Sequence, residues 1–167
     1  MHVLFVCTGN ICRSPTAERL AVAYSDEGGL DVTSSSAGTH GLVGHAMDEE
    51  AASVLHQLGG ESEGFVARRL TAKIADEADL ILTMTARHRD AVLAIAPRKL
   101  RRTFTLLEAA SLVEVAGART VDEVADARAR HQVGALDIED PYRRERETYE
   151  LIGQQIADAL PTILRVC

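Results

Sequence analysis

No stretch of this sequence is both long and apolar enough to span a bilayer, which argues against membrane insertion. Strand-like sequence begins at His2 and leaves no room for a signal peptide, so the expected location is the cytoplasm. Positive charge is in deficit: 18 Lys and Arg stand against 25 Asp and Glu, a formal net charge of −7. Nucleic-acid binding therefore has no general electrostatic support, and any anionic ligand must be held by a local concentration of donors. Cysteine is scarce and odd in number, with Cys7 and Cys12 in one short loop and Cys167 at the end. That is no secreted disulfide framework. Internal repeats, low-complexity tracts and clear linkers are also missing. What remains is 167 residues, a length for one domain with a core that needs no staples.

Apolar runs alternate with helical spacing. Val3 to Val6 reads as a buried strand. Ser14 is placed to cap a helix with Pro15 at its first position, and Ala17, Leu20, Ala21 and Tyr24 then recur at helical spacing up to Gly28 and Gly29. "LDVTSSSAG" is a second strand. Ala51, Val54, Leu55 and Leu58 mark a helix stopped by Gly59 and Gly60. "DLILTM", residues 79–84, is a third strand, followed by a helix capped by Thr85, and "RTFTL", residues 102–106, a fourth. Residues 108–134, rich in Ala, Glu and Arg, read as a surface helical elaboration. A last helix is expected from about Arg143, with Pro161 kinking or interrupting it. Alternating strands and helices specify an α/β domain whose parallel sheet is covered on both faces.

The loop "CTGNICRS", residues 7–14, lies between the first strand and the first helix. Ligands of open α/β sheets sit at such strand ends, and turned backbone N–H groups before a helix N-terminus form an anion-binding nest. Gly9 is expected to relax the backbone there, and Asn10 tolerates left-handed conformations. The loop is no Walker A motif, since it lacks the Gly-Lys-Ser/Thr ending. Curled around an anion, it puts Cys7 at its floor and the Arg13 guanidinium against two phosphoryl oxygens. Loop dipoles, the helix end and Arg13 favour a thiolate at Cys7, and Ser14 can donate a hydrogen bond to it. The chemistry favoured is displacement at phosphorus through a phosphocysteine, with no metal required. Cys12 is open between core packing and a redox role, forming a disulfide that protects Cys7.

Such a displacement is helped by a proton donor. "DIEDPYRRERETYE", residues 137–150, offers Asp137, Glu139 and Asp140, and only Asp140 is stiffened by a following proline, Pro141. On local sequence alone Asp140 also reads as a helix cap. Tyr142 would stand beside it as an aromatic wall.

"VCTGNICRSPTAE" and "DPY", with "SSAGT", "GFVARRLT" and "DLILTM" between them, resemble the low-molecular-weight protein tyrosine phosphatases over most of the chain. The resemblance implies a single doubly wound, flavodoxin-like domain with a four-stranded parallel sheet. It implies Cys7 as nucleophile, Arg13 as phosphate clamp and Asp140 as general acid. It also implies a phosphate-binding loop of Thr8, Gly9, Asn10, Ile11, Cys12, Arg13 and Ser14, braced by Asn10, Ser14 and Ser36. No cofactor and no metal are implied. "GLVGHAMD" and "DPYRRERET" are similar to bacterial members paired with tyrosine autokinases of exopolysaccharide export, which implies a phosphotyrosine protein, such as an autokinase, as partner. Two departures stand out. Leu42 replaces an aromatic cleft wall with an aliphatic one. Phe65 and Thr85 stand where many relatives pair a histidine with an acid.

The alternative is an arsenate reductase of the same fold. Those enzymes relay a disulfide through cysteines after the third strand, where "TMTARHRDAVLAIAP" has none, and Cys167 is a poor substitute. A non-catalytic phosphotyrosine-binding module would lose Cys7, Arg13 or Asp140. His2, His40, His45, His56, His88 and His131 show no metal-ligand spacing. Most are expected at the surface, with His40 and His45 near the cleft mouth.

Overall fold

The computed structural model describes residues 1–134 and 136–167. Strands β1 (His2–Cys7), β2 (Thr33–Gly38), β3 (Leu80–Thr83) and β4 (Thr103–Thr105) form one parallel sheet in the order β2-β1-β3-β4. Along β1, Val3 and Phe5 enter one apolar cluster and Leu4 and Val6 the other. Burial on both faces is why this strand reads as a continuous apolar run. Each large side chain so buried contributes on the order of 2 kcal/mol relative to exposure.

Helices α1 (Arg13–Gly28) and α2 (Glu49–Gln57) pack on the first face, as do α5 (Leu106–Ala116), α6 (Val121–Arg130) and α7 (Arg146–Leu164). Helices α3 (Ala72–Glu77) and α4 (Ala86–Ile95) supply the second. A 3-10 turn, Pro97–Arg102, leads into β4. The chain runs from β1 outward to β2, then back across to β3, so the strand order reverses between β1 and β3. The carboxyl ends of these two strands frame the crevice where such sheets bind ligands. Helix α1 ends on Gly29, left-handed at φ 62°. Thr85 caps α4, its hydroxyl accepting from the His88 N–H at 3.2 Å.

Four expectations are corrected. Ser14 does not cap α1, which starts at Arg13 without a side-chain cap; the Ser14 hydroxyl is committed to the loop instead. The last helix starts at Arg146, because Arg143 adopts φ 61° and donates its N–H to Tyr149 Oη at 3.3 Å. Pro161 lies within α7 without interrupting it. Its missing N–H falls near the end of the helix, where the buried Leu160, Ile163 and Leu164 hold the chain against the core. Residues 108–134 are no surface elaboration, since Glu108, Ala109, Leu112 and Val113 of α5 and Val121, Val124 and Ala127 of α6 are buried. Their charged letters are misleading because they pair internally. Arg128 donates from Nε and Nη2 to the two Glu108 carboxylate oxygens at 2.8 and 3.0 Å, and its guanidinium lies 3.9 Å from the Phe104 ring centre.

Candidate active site

After β1 the chain turns back on itself and enters α1 at Arg13. The carbonyls of Cys7, Thr8, Gly9 and Ile11 accept from the N–H groups of Thr39, His40, Leu42 and Asp48, each at 2.9 Å. A trans peptide points its N–H opposite its carbonyl. With the carbonyls engaged by this outer collar, the N–H groups of Thr8, Gly9, Asn10 and Cys12 turn to the loop's other side. The left-handed residue is Asn10, at φ 58°. Gly9 is not left-handed, and a Cβ there would meet only the Ile11 and Leu42 side chains at 3.6 Å and beyond. The backbone freedom expected at Gly9 is therefore used at Asn10. The glycines that the approach requires are Gly38 and Gly41. A Cβ on Gly38 would strike the Thr8 carbonyl oxygen, and one on Gly41 the Arg68 carbonyl oxygen.

Asn10 is fully buried and braces the loop from behind. Its Nδ2 donates to Ser14 Oγ at 2.9 Å and to Ser36 Oγ at 2.7 Å, and its Oδ1 accepts from the Arg68 N–H at 2.9 Å. Ser36 in turn donates to Glu18 Oε2 at 2.5 Å. These contacts set the direction of the last one. A carboxylate only accepts, so the Ser36 proton points to Glu18 and its oxygen receives Asn10. Ser14 also receives Asn10, which leaves its own O–H to donate to Cys7 Sγ, 2.9 Å away. Glu18 is missing from the sequence reading. Its one signal is spacing, four residues after Ser14 on the same face of α1. The brace is complete with Phe65, buried beneath the Arg19 guanidinium, in place of the histidine of many relatives.

Arg13 is 4 % exposed. Its Nη1 donates to the Ile138 carbonyl at 2.9 Å and its Nη2 lies 2.9 Å from Asp140 Oδ2. Its Nε is buried with no hydrogen-bond partner among the described residues. Such a donor is costly unless an acceptor oxygen reaches it. Asp140 Oδ1 accepts from the Tyr142 N–H at 3.2 Å, so the residue closes its own turn rather than capping α7. The rival acids are occupied elsewhere: Asp137 accepts from the Ala86 N–H at 2.8 Å, and Glu139 pairs with Arg144 at 2.7 Å.

A cavity of about 210 Å³ collects most of the expected residues. The loop lines it through Cys7, Thr8, Gly9, Ile11, Cys12 and Arg13, and Leu42, Tyr142, His40 and Asp140 complete it. Asn10, Ser14 and Ser36 stay behind the loop, and His45 is not among the lining residues. Burial, then the charges of Asp48 and Cys7, push the Cys12 thiol up, so it stays protonated. His88 is the exception among the histidines, which were expected mostly at the surface: it is 5 % exposed. Its Nε2 meets Thr8 Oγ1 at 2.8 Å and its Nδ1 meets Thr85 Oγ1 at 3.0 Å. Burial first, and Arg13 second, push it down to about 4, so a neutral ring ties the Cys7–Arg13 loop to α4. Burial raises Cys167 to about 11, and its nearest charge is the Met1 amine, at the opposite end of β1 from Cys7. No group of three or more His, Cys, Asp and Glu converges on a metal position among the described residues, and no helix there is long and apolar enough to cross a membrane.

Four parallel strands with helices on both faces, and the Cys7–Arg13 loop at the end of β1, define a flavodoxin-like α/β protein. Residues 2–112 match the low molecular weight phosphotyrosine protein phosphatase family. The low molecular weight protein-tyrosine-phosphatase Wzb of Salmonella typhi is 37 % identical over 150 residues, which are 90 % of this chain and 83 % of that protein. The structure of the Erwinia amylovora tyrosine phosphatase AmsI superposes with a TM-score of 0.75 at 31 % identity, covering 97 % of this chain and 89 % of the other. The YwlE arginine phosphatase of Geobacillus stearothermophilus is similar at a TM-score of 0.75 and 27 % identity, over 98 % of this chain and 90 % of the other. The chain belongs to the low molecular weight phosphotyrosine protein phosphatase family.

Proposed function

We propose that this protein hydrolyses phosphotyrosine in proteins through a phosphocysteine on Cys7. The observation that carries the reading is that Cys7, Arg13 and Asp140 border one cavity. The loop N–H groups and the Arg13 guanidinium hold the equatorial phosphoryl oxygens and stabilise them as charge builds. The Cys7 thiolate attacks phosphorus in line, the Sγ–P bond forms, and the P–O bond to the tyrosyl ring breaks. Asp140 gives its proton to the departing phenolic oxygen. The resulting carboxylate then takes a proton from water. The water oxygen bonds to phosphorus, the S–P bond breaks, and inorganic phosphate leaves with Cys7 again a thiolate, to which Ser14 donates.

The walls favour an aryl group. Ile11, Leu42 and Tyr142 flank the loop with apolar surface. The partner is a phosphotyrosine protein of the cytoplasm, a tyrosine autokinase in the bacterial setting that the sequence resembles. We further propose that Cys12 resolves oxidised Cys7. Peroxide converts the thiolate to a sulfenic acid, and the Cys12 thiol displaces water to form a disulfide.

The test is turnover of p-nitrophenyl phosphate and of phosphotyrosine and phosphoarginine peptides by purified protein in EDTA. Metal-independent turnover of the two aryl substrates is expected. Preference for phosphoarginine, or loss of activity in EDTA, would contradict the reading. After mild peroxide and then dithiol, wild type should recover more activity than Cys12→Ser, and equal recovery would remove the redox role.

A further inference from the structure

A second, smaller cavity of about 130 Å³ adjoins the first, and the two share Thr8 and His40. Its other lining residues are Thr39, Arg87, His88 and Ala91. Its volume equals roughly four waters of liquid, enough for a carboxylate or a phosphoryl group. Nothing in the mechanism above uses it.

Its chemistry is cationic and donor-rich. Arg87 is exposed on the first turn of α4. Its neighbour Arg89 is engaged by Asp90 and Glu108, whereas Arg87 has no ion-pair partner among the described residues. The acids nearest the first cavity are each committed: Asp137 to the Ala86 N–H, Glu139 to Arg144, and Asp140 to Arg13. This rim thus carries a guanidinium that makes no ion pair among the described residues. The His40 ring, with its Nδ1 3.3 Å from Thr39 Oγ1, brings a second ring nitrogen to the same cavity. His88 is unavailable as a donor, because both of its nitrogens face threonine hydroxyls. It acts as a fixed wall between the subsites.

We propose that this cavity is a second anion subsite, in which Arg87 and His40 bind a carboxylate or second phosphoryl group one or two residues from the phosphotyrosine of a peptide substrate. Guanidinium groups recognise such acidic or phosphorylated neighbours by charge-assisted, often bidentate hydrogen bonds. The inference rests on the phosphotyrosine reading above and names the sequence context that the enzyme selects.

The experiment compares kcat/KM for phosphotyrosine peptides with neutral flanks, with a single Glu at each of the two positions on either side, and with a second phosphotyrosine at those positions. Each value is divided by kcat/KM for p-nitrophenyl phosphate with the same enzyme. Wild type should prefer one acidic register by roughly three- to fivefold, the size of one exposed ion pair, mainly through KM, and the preference should shrink in high salt. A larger gain with the second phosphotyrosine than with Glu identifies a phosphoryl source, and equal gains identify a carboxylate as sufficient. Arg87→Gln should erase the preference, and Arg87→Glu should reverse it. Because Arg87 is exposed, both variants should fold. Equal ratios for all peptides in wild type, or a preference that survives in Arg87→Glu, would overturn the subsite and leave the parent reading standing. Failure to turn over any aryl phosphate would overturn both.

Discussion

Arg13 and Asp140 meet across the mouth of the loop, Nη2 to Oδ2 at 2.9 Å, although they are far apart in sequence. One contact joins the guanidinium at the start of α1 to the carboxylate that precedes the last helix. Arg13 is anchored a second time through the Ile138 carbonyl at 2.9 Å, so the segment carrying Asp140 is tied to the guanidinium at two points.

Asp140→Asn keeps a polar group of the same size and removes the proton. Turnover of p-nitrophenyl phosphate should fall by about a hundredfold or more, as expected for loss of a general acid. Asp137→Asn and Glu139→Gln should each retain most of the rate, since those acids are committed elsewhere. A steady-state kcat for the three variants decides the assignment, and an unchanged rate in Asp140→Asn would move the acid role to Asp137 or Glu139.

Ser14 is the donor to Cys7, because Asn10 Nδ2 can only donate to the Ser14 oxygen and leaves its proton for the sulfur. Ser14→Ala removes that hydrogen bond from the sulfur as it leaves phosphorus. Turnover of p-nitrophenyl phosphate should fall by about tenfold, equivalent to one lost hydrogen bond, in kcat more than in KM. A loss of melting temperature with unaltered kcat would make Ser14 a packing residue.

How much of this was legible follows the same division. The Cys7–Arg13 loop and the strand before it could be read because the chemistry and the chain signals fall within a few residues, whereas the choice of Asp140 over Asp137 and Glu139 came through family resemblance. The bracing of Asn10 by Ser36 came only through family resemblance, and its extension to Glu18 was missed, because the partners lie on different elements. Residues 108–134 misled because burial of Glu108 depends on Arg128, 20 residues away. Helix α3 was missed since its six residues are too few to show a period. His88 carries no mark of burial in its flanks, and its neutral ring follows from that burial and from Arg13, a residue far away in sequence.

His88 sets a pH dependence. Its folded value near 4 lies below the unfolded 6.5, so the unfolded chain binds more protons between the two. The stability held by the neutral ring is complete above about 6.5 and is lost as pH falls toward 4. The groups that act on it are Arg13 and Arg87, which oppose its proton, and Asp140 and Asp137, which favour it. The drop in melting temperature between pH 7 and about pH 4.5 should be smaller in His88→Gln than in wild type. Equal drops would show that His88 is not the titrating group.

The Glu108–Arg128 pair makes a stability prediction in the segment that looked peripheral. The Glu108 side chain is 6 % exposed, so Arg128→Met leaves a buried carboxylate with Arg89, at 3.5 Å, as its ion-pair partner and the Thr105 N–H, at 3.1 Å, as a neutral donor. Unfolding free energy in urea should drop by about 3 kcal/mol. Adding Glu108→Gln to that variant should restore part of the loss, and a double variant no better than the single would refute the electrostatic origin.

The central claim is that phosphorus passes through Cys7. During turnover of p-nitrophenyl phosphate the enzyme is quenched on the millisecond scale, digested and examined by mass spectrometry. The account predicts a phosphoryl group on the cysteine of the loop peptide, confined to Cys7, and no turnover in Cys7→Ser. Full activity in Cys7→Ser, or a phosphoryl group found only on another residue, would contradict it.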